Sequence, residues 1–118
     1  MDPFLLTLRR PFVADHFHDL PGFVEERHGH NWEIEATIAL DALESPRDEA
    51  AFIASLDEWI AKVDYTLLNG QAPLAGRNPT AEALAQWAYQ HLRAEGLCPE
   101  RVRIREKANY WAGCRGAA

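Results

Sequence analysis

Several features that mark other classes of protein are missing or scarce in this chain of 118 residues. Its two cysteines, Cys98 and Cys114, lack metal-binding spacing and give no disulfide framework, so both are expected to be free thiols. No segment approaches the roughly 20 apolar residues that a membrane span needs, and Met1-Asp2-Pro3 does not begin a secretory leader. These absences predict a cytoplasmic protein with no membrane partner.

Positive charge is also scarce, because 12 Lys and Arg residues stand against 18 Asp and Glu residues, for a net charge of -6. Nucleic-acid binding requires a clustered excess of basic residues, so no nucleic-acid partner is expected. The net charge is still compatible with binding of a small anionic ligand. The chain has no internal repeat and no low-complexity segment. Its length predicts one domain, residues 1–118, whose large surface for its volume favours a homo-oligomer.

Two segments near the N-terminus alternate apolar and polar residues, as half-buried strands do. From Phe4 the apolar phase runs through Ala14 and continues to His16. From His28 to Leu40 the same alternation is clearer still. Pro21-Gly22 in the connection between them signals a reversal of the chain, so the two strands are predicted to pair antiparallel.

The rest of the chain predicts two helices and then two strands. Apolar residues recur at helical spacing from Arg47 to Val63, and Thr80 is a suitable N-cap for a second helix that Gly96 would end. Alternation returns from Arg101 to Lys107, and Tyr110 to Cys114 forms a short fourth strand. The order indicates an α+β fold, a ββααββ antiparallel sheet with two helices on one face.

The segment His28-Gly29-His30 could hold a metal ion. Residues two apart in a strand point to one face, so the two imidazoles converge, and the glycine permits close approach. His16 has the matching phase on the first strand, and antiparallel pairing would bring it beside them. Three neutral imidazoles with an open fourth position suit Zn²⁺ and acid–base chemistry. The alternative is a set of polar strand-edge residues bonded to backbone or water.

Glu106 falls in the apolar phase of the third predicted strand. An ionised carboxylate among apolar neighbours is costly unless it is paired or hydrogen-bonded. A nitrogen-rich ligand could supply that partner, or Glu106 could lie in water at the strand end beside Arg105 or Lys107. The arginines of the opposite phase, Arg101, Arg103 and Arg105, favour a solvated face, and binding of a phosphorylated substrate is the second interpretation.

Four fragments, in their order and spacing, resemble the 6-pyruvoyl-tetrahydropterin synthase and 6-carboxytetrahydropterin synthase family, and the resemblance covers nearly the whole chain. These fragments are Phe12-Val13-Ala14-Asp15-His16, His28-Gly29-His30-Asn31-Trp32, Asn78-Pro79-Thr80-Ala81-Glu82 and Arg105-Glu106. The resemblance implies the tunnelling fold (T-fold), whose subunits join edge to edge into trimers that commonly pair into hexamers.

The same resemblance implies roles for particular residues. It implies Zn²⁺ held by His16, His28 and His30, and a pterin substrate whose amino-pyrimidine edge is bound by Glu106. A bidentate carboxylate on two adjacent N–H groups explains why a glutamate would stand among apolar neighbours. Thr80 is implied to lie near the pterin pocket, where it could cap the helix and also bond the substrate.

The sequence departs from the family pattern at the acid–base residues. Typical members have a cysteine general base four residues before the His-Gly-His segment, where this chain has Val24. They have Leu-Asp-His after the first helix, where this chain has Val63-Asp64-Tyr65. One branch replaces the cysteine by a glutamate three residues before the first histidine, and Glu25 fits that spacing. The candidate catalytic residues are therefore Glu25, Asp64 and Tyr65.

Three functional hypotheses follow from the resemblance. The first is a zinc-dependent pterin side-chain lyase or synthase that acts on dihydroneopterin triphosphate, similar to 6-carboxytetrahydropterin synthase in queuosine-type synthesis. The second is Glu25-dependent cleavage of the same compound to 6-hydroxymethyl-dihydropterin, a folate precursor. The third is a non-catalytic zinc- or pterin-binding protein on the same scaffold, which Val24 and Tyr65 favour.

Overall fold

The structure, a computed structural model, describes residues 4–20, 23–24, 28–40, 46–107 and 109–116, with the backbone alone at residues 19, 20, 23, 24 and 28. Two helices and a sheet account for most of these residues. The strands are β1 (Phe4–His16), β2 (Asp19–Leu20), β3 (Phe23–Val24), β4 (His28–Leu40), β5 (Thr66–Leu67), β6 (Pro99–Lys107) and β7 (Tyr110–Arg115). The α-helices are α1 (Pro46–Val63) and α2 (Ala81–Ala94), and two short 3₁₀ helices, Leu68–Gly70 and Ala72–Leu74, lie between β5 and α2.

The main sheet has the strand order β5-β1-β4-β6-β7. Strands β1 and β4 pair antiparallel without a slip, from Phe4 opposite Leu40 to His16 opposite His28. The predicted ββααββ order and the α+β class are confirmed. The sheet is mixed rather than purely antiparallel, because after α1 the chain returns along the open edge of β1 and β5 pairs parallel to it. The predicted reversal between β1 and β4 contains the small β2–β3 pair.

Both helices pack on one face of the sheet and enclose the core. The predicted apolar phases of β1, β4 and β6 supply the sheet side of this core, and the helices supply Trp59 and Trp87. The ring of Phe12 lies 5.9 Å from that of Trp32, stacked, and 5.6 Å from that of Trp59, edge-on. The helical spacing from Arg47 correctly predicted α1, which begins one residue earlier at Pro46, a residue favoured in the first helical turn.

The opposite face of the sheet carries a buried carboxylate among arginines. The side chain of Glu35 is 5% exposed, and it binds Arg9 at 2.7 Å, Arg103 at 2.9 Å and Arg101 at 3.3 Å. The hydrogen bond from Arg103 lowers the pKa of Glu35 below its ordinary value, although burial opposes this, and Arg9 adds to the lowering. The arginine phase of β6 is therefore an ion-pair network and not simply a solvated face.

Two further predictions concern features that the sequence lacks. Cys98 and Cys114 are free thiols, as expected from their spacing. Among the described residues, neither α1 nor α2 combines the length and the apolar character that crossing a membrane requires.

Candidate functional site

Three neighbouring strands deliver His16, His30 and Glu106 to one point on the helix-covered face of the sheet. His16 ends β1, His30 lies near the start of β4, and Glu106 lies near the end of β6. One carboxylate oxygen of Glu106 stands 3.3 Å from Nε2 of His16 and 3.3 Å from Nε2 of His30. Continuous pairing of β1 with β4 brings the two histidines together, and Glu106 joins them from β6, where the pairing with β7 is irregular between Arg105 and Lys107.

The His16 ring is completely buried and has a fixed orientation. Its Nδ1 lies 3.0 Å from the carbonyl oxygen of Pro79, in the loop before α2. Because a carbonyl can only accept, Nδ1 must donate, and a neutral His16 then presents its Nε2 lone pair to the cluster. A second interaction that fixes the tautomer is characteristic of metal-binding histidines. The sequence did not reveal the role of Pro79.

Aromatic rings surround the cluster. The ring centroid of His16 lies 5.0 Å from those of His30 and Trp32, and 5.3 Å from that of His18. The indole Nε1 of Trp32 donates to the carbonyl of Ala14 at 3.2 Å, which fixes this wall of the site. The proximity of His18 was not predicted, although its spacing of two from His16 repeats that of the recognised histidine pair.

Two predicted site residues, His28 and Glu25, belong partly or wholly to the residues that the structure does not describe. The backbone of His28 pairs with that of His16, so the third histidine starts from the expected register, but its side chain lies outside the described residues. Glu25 lies outside them altogether. Between the two histidines of β4, a Cβ on Gly29 would stand 2.8 Å from a carboxylate oxygen of Asp15, so a larger residue there would require the Asp15 side chain to move.

Asp64 and Tyr65 form the turn between α1 and β5. The carboxylate of Asp64 accepts from the backbone N–H of Val13 at 2.9 Å, and the N–H of Tyr65 donates to the carbonyl of Val13. Tyr65 adopts φ 57°, an uncommon value for a bulky residue, and its side chain is 82% exposed. Within this subunit the structure therefore aims Tyr65 into solvent and uses Asp64 to anchor the turn to β1.

Thr80 joins the site loop to α2. Its hydroxyl accepts from the backbone N–H of Ala83 at 3.1 Å, which confirms the predicted N-cap. A cavity of about 380 Å³ borders this loop, and a wider groove of about 500 Å³ follows Thr80 between α2 and β7. The smaller cavity is lined by Phe17, Asn69, Leu74, Gly76, Arg77 and Asn78. Both spaces lie next to residues that contact His16 or follow it in sequence.

Thr80→Ala is expected to lower the free energy of unfolding by about 1 kcal/mol, because it removes the side-chain cap of α2. Thr80→Ser keeps the hydroxyl and should retain most of that stability. Denaturant unfolding of the two variants measures the difference. Equal losses in both variants would show that the hydroxyl does not support the helix.

The donor set of the cluster fits a zinc ion. The ligand atoms of His16, His30 and Glu106 lie within 4.8 Å of one another, and imidazole nitrogens with a carboxylate oxygen are ordinary zinc ligands. The register of β1 and β4 places the backbone of His28 beside this set. The fold and the site together define a class of α+β protein with a histidine-rich centre at one end of the sheet.

Comparison with known proteins names the family within this class. The family model described as 6-pyruvoyl tetrahydropterin synthase matches residues 5–117. A protein of Archaeoglobus fulgidus, provisionally named a 6-carboxy-5,6,7,8-tetrahydropterin synthase, is 32% identical over 102 residues, which cover 83% of this chain and 85% of that protein. The chain therefore belongs to the 6-pyruvoyl tetrahydropterin synthase family.

Solved structures share the fold at low sequence identity. The Caenorhabditis elegans 6-pyruvoyl tetrahydropterin synthase has a TM-score of 0.79 and 16% identity, with 99% of this chain and 98% of that chain covered. The Plasmodium vivax 6-pyruvoyltetrahydropterin synthase, in a variant whose catalytic glutamate is replaced by alanine, has a TM-score of 0.77 and 11% identity, with both chains covered completely (100%). These likenesses support the T-fold assignment.

Proposed function

We propose that this protein is a zinc-dependent pterin side-chain lyase or synthase that acts on dihydroneopterin triphosphate, similar to 6-carboxytetrahydropterin synthase. The convergence of His16, His30 and Glu106 carries the proposal, since no other arrangement among the described residues joins two histidines and a carboxylate on the inner face of the sheet. The name of the Archaeoglobus fulgidus relative favours this label over that of other pterin enzymes.

His16, His28 and His30 would hold the metal. A zinc ion bound there supplies a Lewis acid that polarises a substrate hydroxyl or carbonyl and lowers its pKa. The buried ring of His16 and its hydrogen bond to Pro79 keep one ligand oriented before any ion binds. Preorganisation of this kind reduces the entropy lost on binding.

Glu106 and Thr80 would orient the pterin. The carboxylate of Glu106 can accept two parallel N–H bonds from an amino-pyrimidine edge, and its side chain is only 15% exposed, so water competes weakly. The groove beside Thr80 offers space for a flat ring next to the site. Together these contacts would place the side chain of the pterin over the three histidines.

Glu25, Asp64 and Tyr65 would move protons. Glu25 is the proposed base that removes a side-chain hydroxyl proton, so that this oxygen becomes a carbonyl, the adjacent carbon–carbon bond breaks in a retro-aldol sense, and its electron pair passes into the pterin ring. Tyr65 would serve as the second acid–base group and Asp64 would position it. Since the Tyr65 side chain is 82% exposed in one subunit, it would act on a substrate held beside this edge of the sheet.

Assembly is part of the same proposal. Strand β5 covers β1 only at Ala14 and Asp15, and within the described residues β7 has a sheet neighbour on one side alone. Open edges of this kind can pair with further copies of the chain, which supports a trimer or hexamer. We place the assembled enzyme in the cytoplasm.

Cleavage to 6-hydroxymethyl-dihydropterin, a step toward folate, is the second candidate. The catalytic residue replaced in the Plasmodium vivax protein is a glutamate, so this family includes a member that uses a carboxylate. Glu25 stands three residues before His28 in this sequence, the spacing expected for such a base. Both candidate reactions start from dihydroneopterin triphosphate, so the product distinguishes them.

Incubation of the zinc-loaded protein with dihydroneopterin triphosphate, followed by chromatography and mass spectrometry, tests both candidates. A 6-carboxytetrahydropterin product supports the first candidate, and a 6-hydroxymethyl product supports the second. Glu25→Ala should lower turnover by about 10²–10⁴-fold, the usual cost of a lost general base. Glu26→Ala changes the net charge equally at the adjacent position and is the matched control.

Two outcomes would reject parts of this proposal. If Glu25→Ala and Glu26→Ala retain equal activity, Glu25 is not the base. If the wild-type protein binds zinc and pterin but forms no product, the protein is the non-catalytic scaffold that Val24 and Tyr65 favour.

A further inference from the structure

Glu106 lies where a metal ligand would lie, in addition to its proposed place at the pterin. One oxygen of its carboxylate is equidistant, at 3.3 Å, from Nε2 of His16 and Nε2 of His30. Two ligand atoms of a tetrahedral zinc ion, bound at about 2.0–2.1 Å, stand about 3.3–3.4 Å apart. Both separations therefore match the edge of a tetrahedral coordination shell.

The orientation of the His16 ring supports the same assignment. Its Nδ1 donates to the carbonyl of Pro79, so in a neutral ring the Nε2 atom carries a lone pair. An ionised carboxylate oxygen also carries only lone pairs. A metal ion bound to both atoms would satisfy this pair of acceptors, which stand 3.3 Å apart.

The geometry points to Glu106 as a ligand of the zinc in the substrate-free protein, where it completes the coordination begun by His16, His28 and His30. A site closed by four protein ligands is typical of structural zinc, whereas catalysis needs an open position. A bidentate contact to the amino-pyrimidine edge would use both carboxylate oxygens of Glu106, so a bound pterin would draw Glu106 from the metal and leave that position open. This inference rests on the proposed zinc site and adds a substrate-dependent change of ligand.

Zinc affinity without substrate tests the first half of the inference. Metal-free wild-type protein, Glu106→Ala and Glu106→Gln are titrated with zinc in competition with a chromophoric chelator. Both variants should bind zinc at least about tenfold more weakly, since even partners outside the coordination shell are commonly worth 10–100-fold. Glu100→Ala removes the same charge from the other end of β6 and should bind zinc as the wild type does.

Cobalt substitution tests the second half. Co²⁺ in place of zinc gives visible absorption bands that report the ligand set. Both Glu106 variants should change these bands without any pterin present, and neopterin added to the wild-type protein should change them as Glu106 leaves the metal. Circular dichroism of the metal-free proteins checks that the variants are folded.

The outcomes separate this inference from the proposed function. If both Glu106 variants keep wild-type zinc affinity and cobalt bands, Glu106 is not a ligand, while the proposed enzyme stands. If the wild type takes up no zinc at this site, both fail. If zinc binding depends on Glu106 but no pterin product forms, the ligand assignment stands and the proposed activity falls.

Discussion

His16→Asn is expected to lower zinc affinity by more than about 100-fold and to reduce pterin turnover to background. His16 is a ligand in the proposed site, and loss of a ligand should exceed the 10–100-fold cost of losing its supporting contacts. The asparagine is polar and smaller, so it can still bond Pro79 but cannot reach the position of Nε2. Zinc content after chelator competition and product formation from dihydroneopterin triphosphate measure the two effects.

His91→Ala is the matched control for this experiment. His91, Glu58 and Glu95 form a second group of metal-binding side chains, with ligand atoms within 4.8 Å of one another. His91 lies on α2, where its Nε2 is 3.0 Å from the carbonyl of Ser55. The variant should keep wild-type zinc content and turnover. If zinc is lost in His91→Ala and retained in His16→Asn, the metal binds at the His91 group and our assignment of the site is wrong.

The sequence predicted the approach of His16 to His30 because the alternation in both strands continues up to these residues. His16 and His30 keep the apolar phase of β1 and β4, and the pairing between these strands has no slip over its full length. The irregularity in the pairing of β4 with β6 falls at Thr37 and Ile38, at the far end from the histidines. A bulge nearer His30 would have turned one ring to the other face and broken the prediction.

Other features depend on loops and on tertiary packing, which alternation does not encode. The carbonyl of Pro79 meets His16 only because the loop before α2 folds back across the end of β1. The left-handed backbone of Tyr65 has no signal in its residue type, since glycine and asparagine are the residues that usually adopt it. The parallel strand β5 is also too short for a recognisable pattern.

The burial of Glu35 could not be predicted from the sequence for a different reason. Glu35 stands in the polar phase of β4, which normally faces water, so its burial cannot be read from its own strand. The signal lies in its neighbours, because Arg9 on β1 and both Arg101 and Arg103 on β6 occupy the same phase on the flanking strands. Three cations around one carboxylate exclude water from it and fix the outer face of the sheet.

Glu35→Gln is therefore expected to lower the free energy of unfolding by about 2–3 kcal/mol at neutral pH. Removing one partner of a buried ion pair usually costs more, but the arginines here keep 32–62% of their side chains exposed and can be hydrated. Glu33→Gln is the matched control on the same strand. Its contacts to Arg9 and Arg105 are 3.9 and 3.7 Å, so a loss below about 1 kcal/mol is expected.

The pH dependence distinguishes loss of charge from loss of packing. Because Arg103, with Arg9, lowers the pKa of Glu35 in the folded state, its contribution to stability is complete above the pKa of an unfolded glutamate, about 4.3. That contribution is lost as the pH falls below the unfolded pKa and through the lowered pKa of Glu35 in the folded state. In denaturant unfolding at about pH 7 and about pH 3, the free energy of unfolding of the wild type should therefore approach that of Glu35→Gln in acid. A difference between the two that does not change with pH, or an equal loss in Glu33→Gln, would contradict an electrostatic role and leave side-chain packing as the cause.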